Sequence, residues 1–294
     1  MDIRGVYTAM VTPFRGKEVD YDGLRQNIAF QIENGISGIL VLGTTGENPT
    51  LSRKEQDTII KVAAEETKGK AILMVGTGTN STEKTIENTG TAKELGADIA
   101  LIVTPYYNKP TNEGLYRHFK AVSEAVDIPV VVYNIQGRTG KNIDTATMKR
   151  IAQLKNIAGV KEASGNIDQI GEVLGEIASK NPEFSVMSGD DSMTFPLMAL
   201  GGKGIISVVS NLVPKKVVEM ANAAERGDFN EARKLHFELL PIFKGAFIET
   251  NPIPIKEAMD MAGMPSGPCR LPLCEMEPQN REKLKKILEQ MKII

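Results

Sequence analysis

A chain of 294 residues is long enough for one large α/β barrel or two ordinary domains. Its 41% hydrophobic and 24% charged residues are the proportions of a soluble globular protein. A formal net charge of −2 argues against nucleic acid or an anionic membrane surface as a bulk electrostatic partner, and leaves room for a local basic pocket.

Two cysteines, Cys269 and Cys274, show no CxxC or Cys/His pattern, so neither a disulfide framework nor a zinc site is indicated. His118 and His236 are far apart and each sits in a helical pattern, which reads as packing or surface histidine and removes His-based triads and His–metal chemistry. The N-terminus enters a strand pattern without a basic and then apolar leader, and no apolar run approaches the ~18 residues of a membrane span. A cytoplasmic enzyme is the expectation.

Eight apolar runs follow in order, at residues 5–13, 37–43, 71–78, 99–105, 128–134, 157–164, 184–190 and 204–210. They are apolar nearly throughout rather than alternating, as strands covered on both faces should be. Helical patterns separate them. Ser52 and Glu55 form a capping box, Asp144 is placed to cap the helix carrying Met148, Ile151 and Leu154, and Gly35, Gly69, Gly96 and Gly201 are placed as helix stops. Strict alternation means parallel strands with crossover helices, and eight units predict a closed (β/α)8 barrel, with an open doubly wound sheet as the alternative. Beyond Ser210 only helical patterns appear, at 214–227, 228–240, 254–263 and 279–294. The expected division is a catalytic barrel over 1–227 and a C-terminal helical region over 228–294, with Asn251-Pro-Ile-Pro and Arg270-Leu-Pro as rigid connectors.

Reactive side chains gather at strand C-termini, the face where barrel enzymes build active sites. Thr44 and Thr45 follow the second strand, Tyr106 and Tyr107 the fourth, Tyr133 ends the fifth, Lys161 lies in the sixth, Gly189 near the end of the seventh and Ile206 in the eighth. Lys161 carries the sharpest signal. Strand parity puts Gly159, Lys161 and Ala163 on one side, where small neighbours leave room for a long amine. A free lysine titrates at about 10.4, and burial lowers that value and makes the amine nucleophilic. Alone, Lys161 also fits a strand-end lysine that snorkels to solvent; Tyr133 at the end of the preceding strand, with the same parity as Val131, tips the balance towards chemistry. A phenol can pass protons to and from a carbinolamine, with hydroxyls of Thr44 and Tyr107 as a relay. Arg138, in QGRTG beyond the fifth strand, has the fork that suits a carboxylate, or is a solvated loop arginine. Gly43 and Gly46 let backbone N–H groups approach a small carboxylate beside Thr45. GTTGE lacks the Lys-Ser/Thr of a phosphate loop, GTGTNS lacks the third glycine of a dinucleotide fingerprint, and GGKG at 201–204 reads as a tight turn on the opposite face.

At these residues the sequence resembles the dihydrodipicolinate synthase family, within the pyruvate-dependent lyases and aldolases that include N-acetylneuraminate lyase. The resemblance covers essentially the whole chain through GTTGENPTL, TPYYNKPTNEGLYRHF, YNIQGRTG, GVKEASGN, SGDD, GGKGIISVVSN and ETNPIPIKEAM. It implies a lyase that condenses pyruvate with L-aspartate 4-semialdehyde on the diaminopimelate route to lysine. Lys161 would form the Schiff base. Tyr133 would move protons, completed by Thr44 and by Tyr107 from a neighbouring subunit. Thr45 would hold the pyruvate carboxylate, Arg138 the carboxylate of the second substrate, and Gly189 and the Ile206 backbone would line the pocket. A homotetramer built as a dimer of dimers, and no metal or organic cofactor, are implied as well.

Two departures stand out. Gln136 replaces a common proline in YNIQGRTG. The positions that match a lysine effector site are Asn48, Pro49, Arg53, Gln56, Asn80, Lys84 and Tyr106, and of these Gln56 stands where histidine is expected and Lys84 where an acid is expected. Weak or absent inhibition by lysine is therefore expected. A sugar-acid aldolase with the same Lys161–Tyr133 chemistry, and a non-catalytic pyruvate-binding protein on the same barrel, are the competing readings.

Overall fold

A computed structural model describes residues 3–294. Eight parallel strands close into a barrel: β1 (Gly5–Ala9), β2 (Gly38–Val41), β3 (Ile72–Gly76), β4 (Ile99–Val103), β5 (Val130–Asn134), β6 (Ile157–Glu162), β7 (Ser185–Ser188) and β8 (Gly204–Ser207). Closure is made at β1, where Tyr7 stands opposite Gly38 on one side and Ile206 on the other. The open-sheet alternative is thereby excluded. All the strands but β5 end before their apolar runs do, and the remaining residues of those runs lie in the rim that follows.

Alternate residues point to two separate cores, which explains the unbroken apolar runs. Tyr7, Leu40, Met74, Ile99, Leu101, Val131, Tyr133, Met187 and Ile206 fill the barrel interior. The opposite faces pack under the helices, as with Ile102, Val132 and Val160 against Leu115, Phe119 and Met148. The helix ends follow the local chemistry read from sequence. Ser52 and Glu55 form a reciprocal capping box, Asp144 caps Thr145–Ile151, and Gly35, Gly69, Gly96 and Gly201 all adopt positive φ.

Helices Pro214–Glu225, Phe229–Gly245, Ile253–Met261 and Pro278–Gln290 follow the last strand. Leu235, Leu239, Ile242, Phe243, Ile255, Met259, Leu284 and Leu288 join one continuous core with Val6, Leu24 and Ile28 of the barrel. The helix expected to stop at Leu240 continues to Gly245 through Pro241. Pro241 removes a donor to the Phe237 carbonyl one turn back, but burial of Leu239, Ile242 and Phe243 outweighs that loss. A two-stranded hairpin at Phe14–Arg15 and Glu18–Val19 is too short to leave a periodic signal and was not expected. Among the described residues no helix is long and apolar enough to cross a membrane.

Gly38 marks a tight place in the barrel wall. A Cβ there would lie 2.3 Å from the Tyr7 ring and 2.8 Å from the Ile72 carbonyl oxygen. Gly38→Ala should cost about 1–3 kcal/mol by overpacking. In urea unfolding this reads as a lower midpoint at unchanged slope; an unshifted midpoint would show that the Tyr7 ring has room to yield.

Candidate active site

The C-terminal mouth of the barrel opens into a cleft of about 490 Å³ lined by Thr44, Thr45, Tyr106, Tyr133, Arg138, Lys161, Gly189, Val208 and Asn251 among others. Tyr133 and Lys161 are register partners on adjacent strands, so parity turns both inward at one level. The Lys161 Nζ lies 4.4 Å from the centre of the Tyr133 ring. Lys161 is only 5% exposed. Gly189 makes space for it: a Cβ at that position would lie 3.0 Å from both Cγ and Cε of Lys161.

Burial in this dry mouth pushes the Lys161 amine down to about 7; the Arg138 guanidinium adds to the shift and the Asp191 carboxylate opposes it. Asp191 is itself sequestered. Its Oδ1 accepts from the Ser207 hydroxyl at 2.5 Å and its Oδ2 from the Val208 amide at 3.0 Å, tying the end of β7 to the end of β8. Burial raises Asp191 to about 6, against the pull of those hydrogen bonds. Burial likewise raises Tyr133 well above the ordinary phenol value, although Arg138 opposes it, so the ring carries its proton at neutral pH.

The rim after β2 is a tight turn. Gly46 N–H donates to the Gly43 carbonyl at 3.2 Å and Glu47 N–H to the Thr44 carbonyl at 3.1 Å. The Gly46 amide is therefore consumed within the turn. Among the described residues the amides of Thr44 and Thr45 have no protein partner, and these two are the donors left for an anion. Asn251 crosses the mouth from the C-terminal region. Its Nδ2 donates to the Thr45 hydroxyl at 3.0 Å, and its backbone carbonyl accepts from Arg138 Nη2 at 3.0 Å.

The QGRTG segment is a single helical turn, Gln136–Thr139, rather than the open loop expected. Its footing lies on the outer face of β5 and β6. The buried Asn134 donates to Asn142 at 2.9 Å and to Glu162 at 3.2 Å, and accepts from the Ile143 amide at 3.0 Å. Each of these outward polar residues immediately follows an inward functional one, Tyr133 or Lys161.

The side chains of two expected residues do not line this chain's own cleft. Ile206 is fully buried in the barrel interior beside Met187, and Val208, two residues on, reaches the cleft wall instead. Tyr107 is 89% exposed at φ 70, away from its own chain's cleft, where Tyr106 takes the wall position. Asn251 and Asp191 were not singled out as site residues; both lie in motifs, ETNPIPIKEAM and SGDD, that gave no local hint of reaching the mouth. His118 is a packing residue, lowered to about 4 by burial and hydrogen-bonded to Thr82. Among the described residues no cluster of three or more His, Cys, Asp or Glu side chains is placed to hold a metal ion.

The model of the dihydrodipicolinate synthetase family matches residues 2–291. The chain belongs to that family. A 4-hydroxy-tetrahydrodipicolinate synthase from Protochlamydia amoebophila is 51% identical over 99% of this chain and 97% of its own length. The solved dihydrodipicolinate synthase of Thermotoga maritima superposes with a TM-score of 0.98 at 44% identity, covering 100% of both chains. A chloride-inhibited dihydrodipicolinate synthase from Acinetobacter baumannii, solved in complex with pyruvate, superposes with a TM-score of 0.96 at 40% identity, covering 99% of this chain and 100% of its own.

A buried amine near neutrality should react where surface lysines do not. Carbamylation by cyanate needs the deprotonated amine, so labelling of Lys161 should rise with pH through about 7 and then level off. Exposed lysines should keep rising towards their ordinary value of about 10.4. Peptide mapping by mass spectrometry gives both curves; a Lys161 curve that follows the surface lysines would remove the claim of a depressed amine.

Proposed function

We propose that the chain is a 4-hydroxy-tetrahydrodipicolinate synthase that joins pyruvate to L-aspartate 4-semialdehyde through an imine at Lys161. The observation that carries this is a lysine buried in the barrel mouth, brought to about 7, and in register with a protonated Tyr133. The family membership and the pyruvate-bound neighbour support the choice of first substrate.

In this mechanism pyruvate enters with its carboxylate on the Thr44 and Thr45 amides and the Thr45 hydroxyl. The neutral Lys161 amine attacks the ketone carbon, and Tyr133 donates a proton so that the carbinolamine loses water. The resulting imine is the electron sink, so the reaction calls on no metal or organic cofactor. The Tyr133 phenolate left by that step takes a methyl proton to give an enamine, whose carbon attacks the aldehyde of the second substrate while the phenol returns the proton to the aldehyde oxygen. Arg138, held by the Asn251 carbonyl, receives that substrate's carboxylate. The amine of the second substrate then closes the ring and releases Lys161. Splitting one carbon–carbon bond formation into these steps is what covalent catalysis contributes.

Tyr107 fits the same scheme. Its exposure in one chain suits a phenol that serves a neighbouring copy, completing a Thr44–Tyr133–Tyr107 relay in a cytoplasmic homotetramer. Gly189 and the wall formed by β8, including the Ile206 backbone, complete the pyruvate side.

Incubation with pyruvate and borohydride should add one reduced adduct at Lys161, absent in Lys161→Ala, and the trapped enzyme should be inactive. Without borohydride, enzyme and pyruvate together should consume L-aspartate 4-semialdehyde. An adduct without its consumption would point to a sugar-acid aldolase, and no adduct would refute the imine.

Lysine should inhibit weakly or not at all. Gln56 Nε2 donates to Asn48 Oδ1 at 2.9 Å and so closes the corner between them, while Lys84 is exposed and cationic where an ammonium ligand would need an acid. Strong inhibition by sub-millimolar lysine in a coupled assay would be the contrary result.

A further inference from the structure

Glu47 and Lys256 form an ion pair at 2.7 Å with side chains 0% and 2% exposed. Neither touches the reacting atoms in the scheme above, and 209 residues separate them in the chain. Lys256 points its three donors at three different segments: Glu47 Oε1 at 2.7 Å, the Thr12 carbonyl at 3.1 Å and the Pro268 carbonyl at 2.8 Å. The other carboxylate oxygen of Glu47 accepts from the Arg270 amide at 2.8 Å. The centre of the Phe14 ring lies 4.4 Å from Lys256 Nζ and 4.3 Å from the Arg270 guanidinium carbon.

A buried ion pair is weak evidence of stabilisation by itself, because desolvation offsets the attraction. What singles this one out is where it pulls. Glu47 adopts φ 53 and ψ 34, the left-handed region that a side chain rarely enters. Its amide is hydrogen-bonded to the Thr44 carbonyl, and the preceding Gly46 carbonyl accepts from the Thr12 hydroxyl at 2.7 Å. A strained residue persists only where its surroundings over-determine it. Here the surroundings are the pair and its ligands, and the strained residue closes the turn that presents the Thr44 and Thr45 amides.

We propose that the buried Glu47–Lys256 pair is a positioning device that sets the turn at residues 43–47, and with it the carboxylate-binding amides, against the barrel mouth. The inference rests on the assignment of that turn to pyruvate. Both residues are positioning residues; the carboxylate is held by the amides they orient.

The test compares wild type with Glu47→Gln, Lys256→Met and the double variant, using borohydride trapping at Lys161 over a range of pyruvate concentrations. Each single variant should raise half-saturating pyruvate about tenfold or more, since displacements near 1 Å carry costs of that order. Half-saturation for the aldehyde should change little. The double variant should lose less than the two singles combined, because neither charge is then left buried alone. Backbone hydrogen exchange should quicken at residues 43–51 in the single variants and not across the strands. Glu47→Asp keeps the charge but withdraws it by one methylene, and it carries the test where Lys256→Met fails to fold; it should raise half-saturating pyruvate as well. Folded single variants with wild-type half-saturation for pyruvate would overturn the proposal, as would an equal loss for both substrates. A wild-type chain that traps no pyruvate is a different failure, since it removes the assignment of the turn to pyruvate and leaves the exchange pattern of the turn intact.

Discussion

Everything at the mouth of this barrel depends on keeping one amine out of water. Among the described residues Asp191 is the acid that acts on Lys161, and that carboxylate is committed to Ser207 and Val208. The amine is therefore desolvated without being neutralised by a close carboxylate, which is the condition for a lysine that is nucleophilic near neutral pH. The chain contains its own contrast in Lys256. That lysine is as deeply buried and is also pushed down by burial, but Glu47 lies 2.7 Å away and pulls it back. Two buried lysines thus take opposite roles, and the difference lies in whether a carboxylate reaches them.

The barrel serves this arrangement through its parity. Along β5 and β6, inward residues supply the phenol and the amine while the next residues outward, Asn134 and Glu162, bind each other. The outer pair fixes the return of the segment that carries Arg138. A two-residue repeat therefore places chemistry on one face of the wall and its support on the other. Burial pushes the Glu162 carboxyl up, and the Ser164 and Asn134 hydrogen bonds oppose that shift.

Local pattern made much of this legible. The eight apolar runs, the capping box at Ser52, the cap at Asp144 and the glycine stops are short-range features whose physics is complete within a few residues. Lys161 and Tyr133 were legible because a polar residue in an apolar run is conspicuous. Asn251 was not, because its bond to Thr45 spans 206 positions and only the closed fold creates it. The same holds for Glu47 and Lys256, each of which reads in sequence as an ordinary charge beside a turn or on a helix. The extension of a helix through Pro241 escaped a local rule because tertiary burial overrode it. Tyr107 is instructive in the other direction: its motif was visible, yet a single chain leaves it exposed.

The position of residues 251–270 in the chain has a consequence for how the protein is made. A ribosome delivers the barrel strands, with Lys161 and Tyr133 among them, before it supplies Asn251, Lys256 and Arg270. Folding during synthesis generally runs from the N-terminal side, so the strands are at hand before the parts that brace the rim. Competence towards substrate therefore waits until residues 251–270 thread back across the mouth.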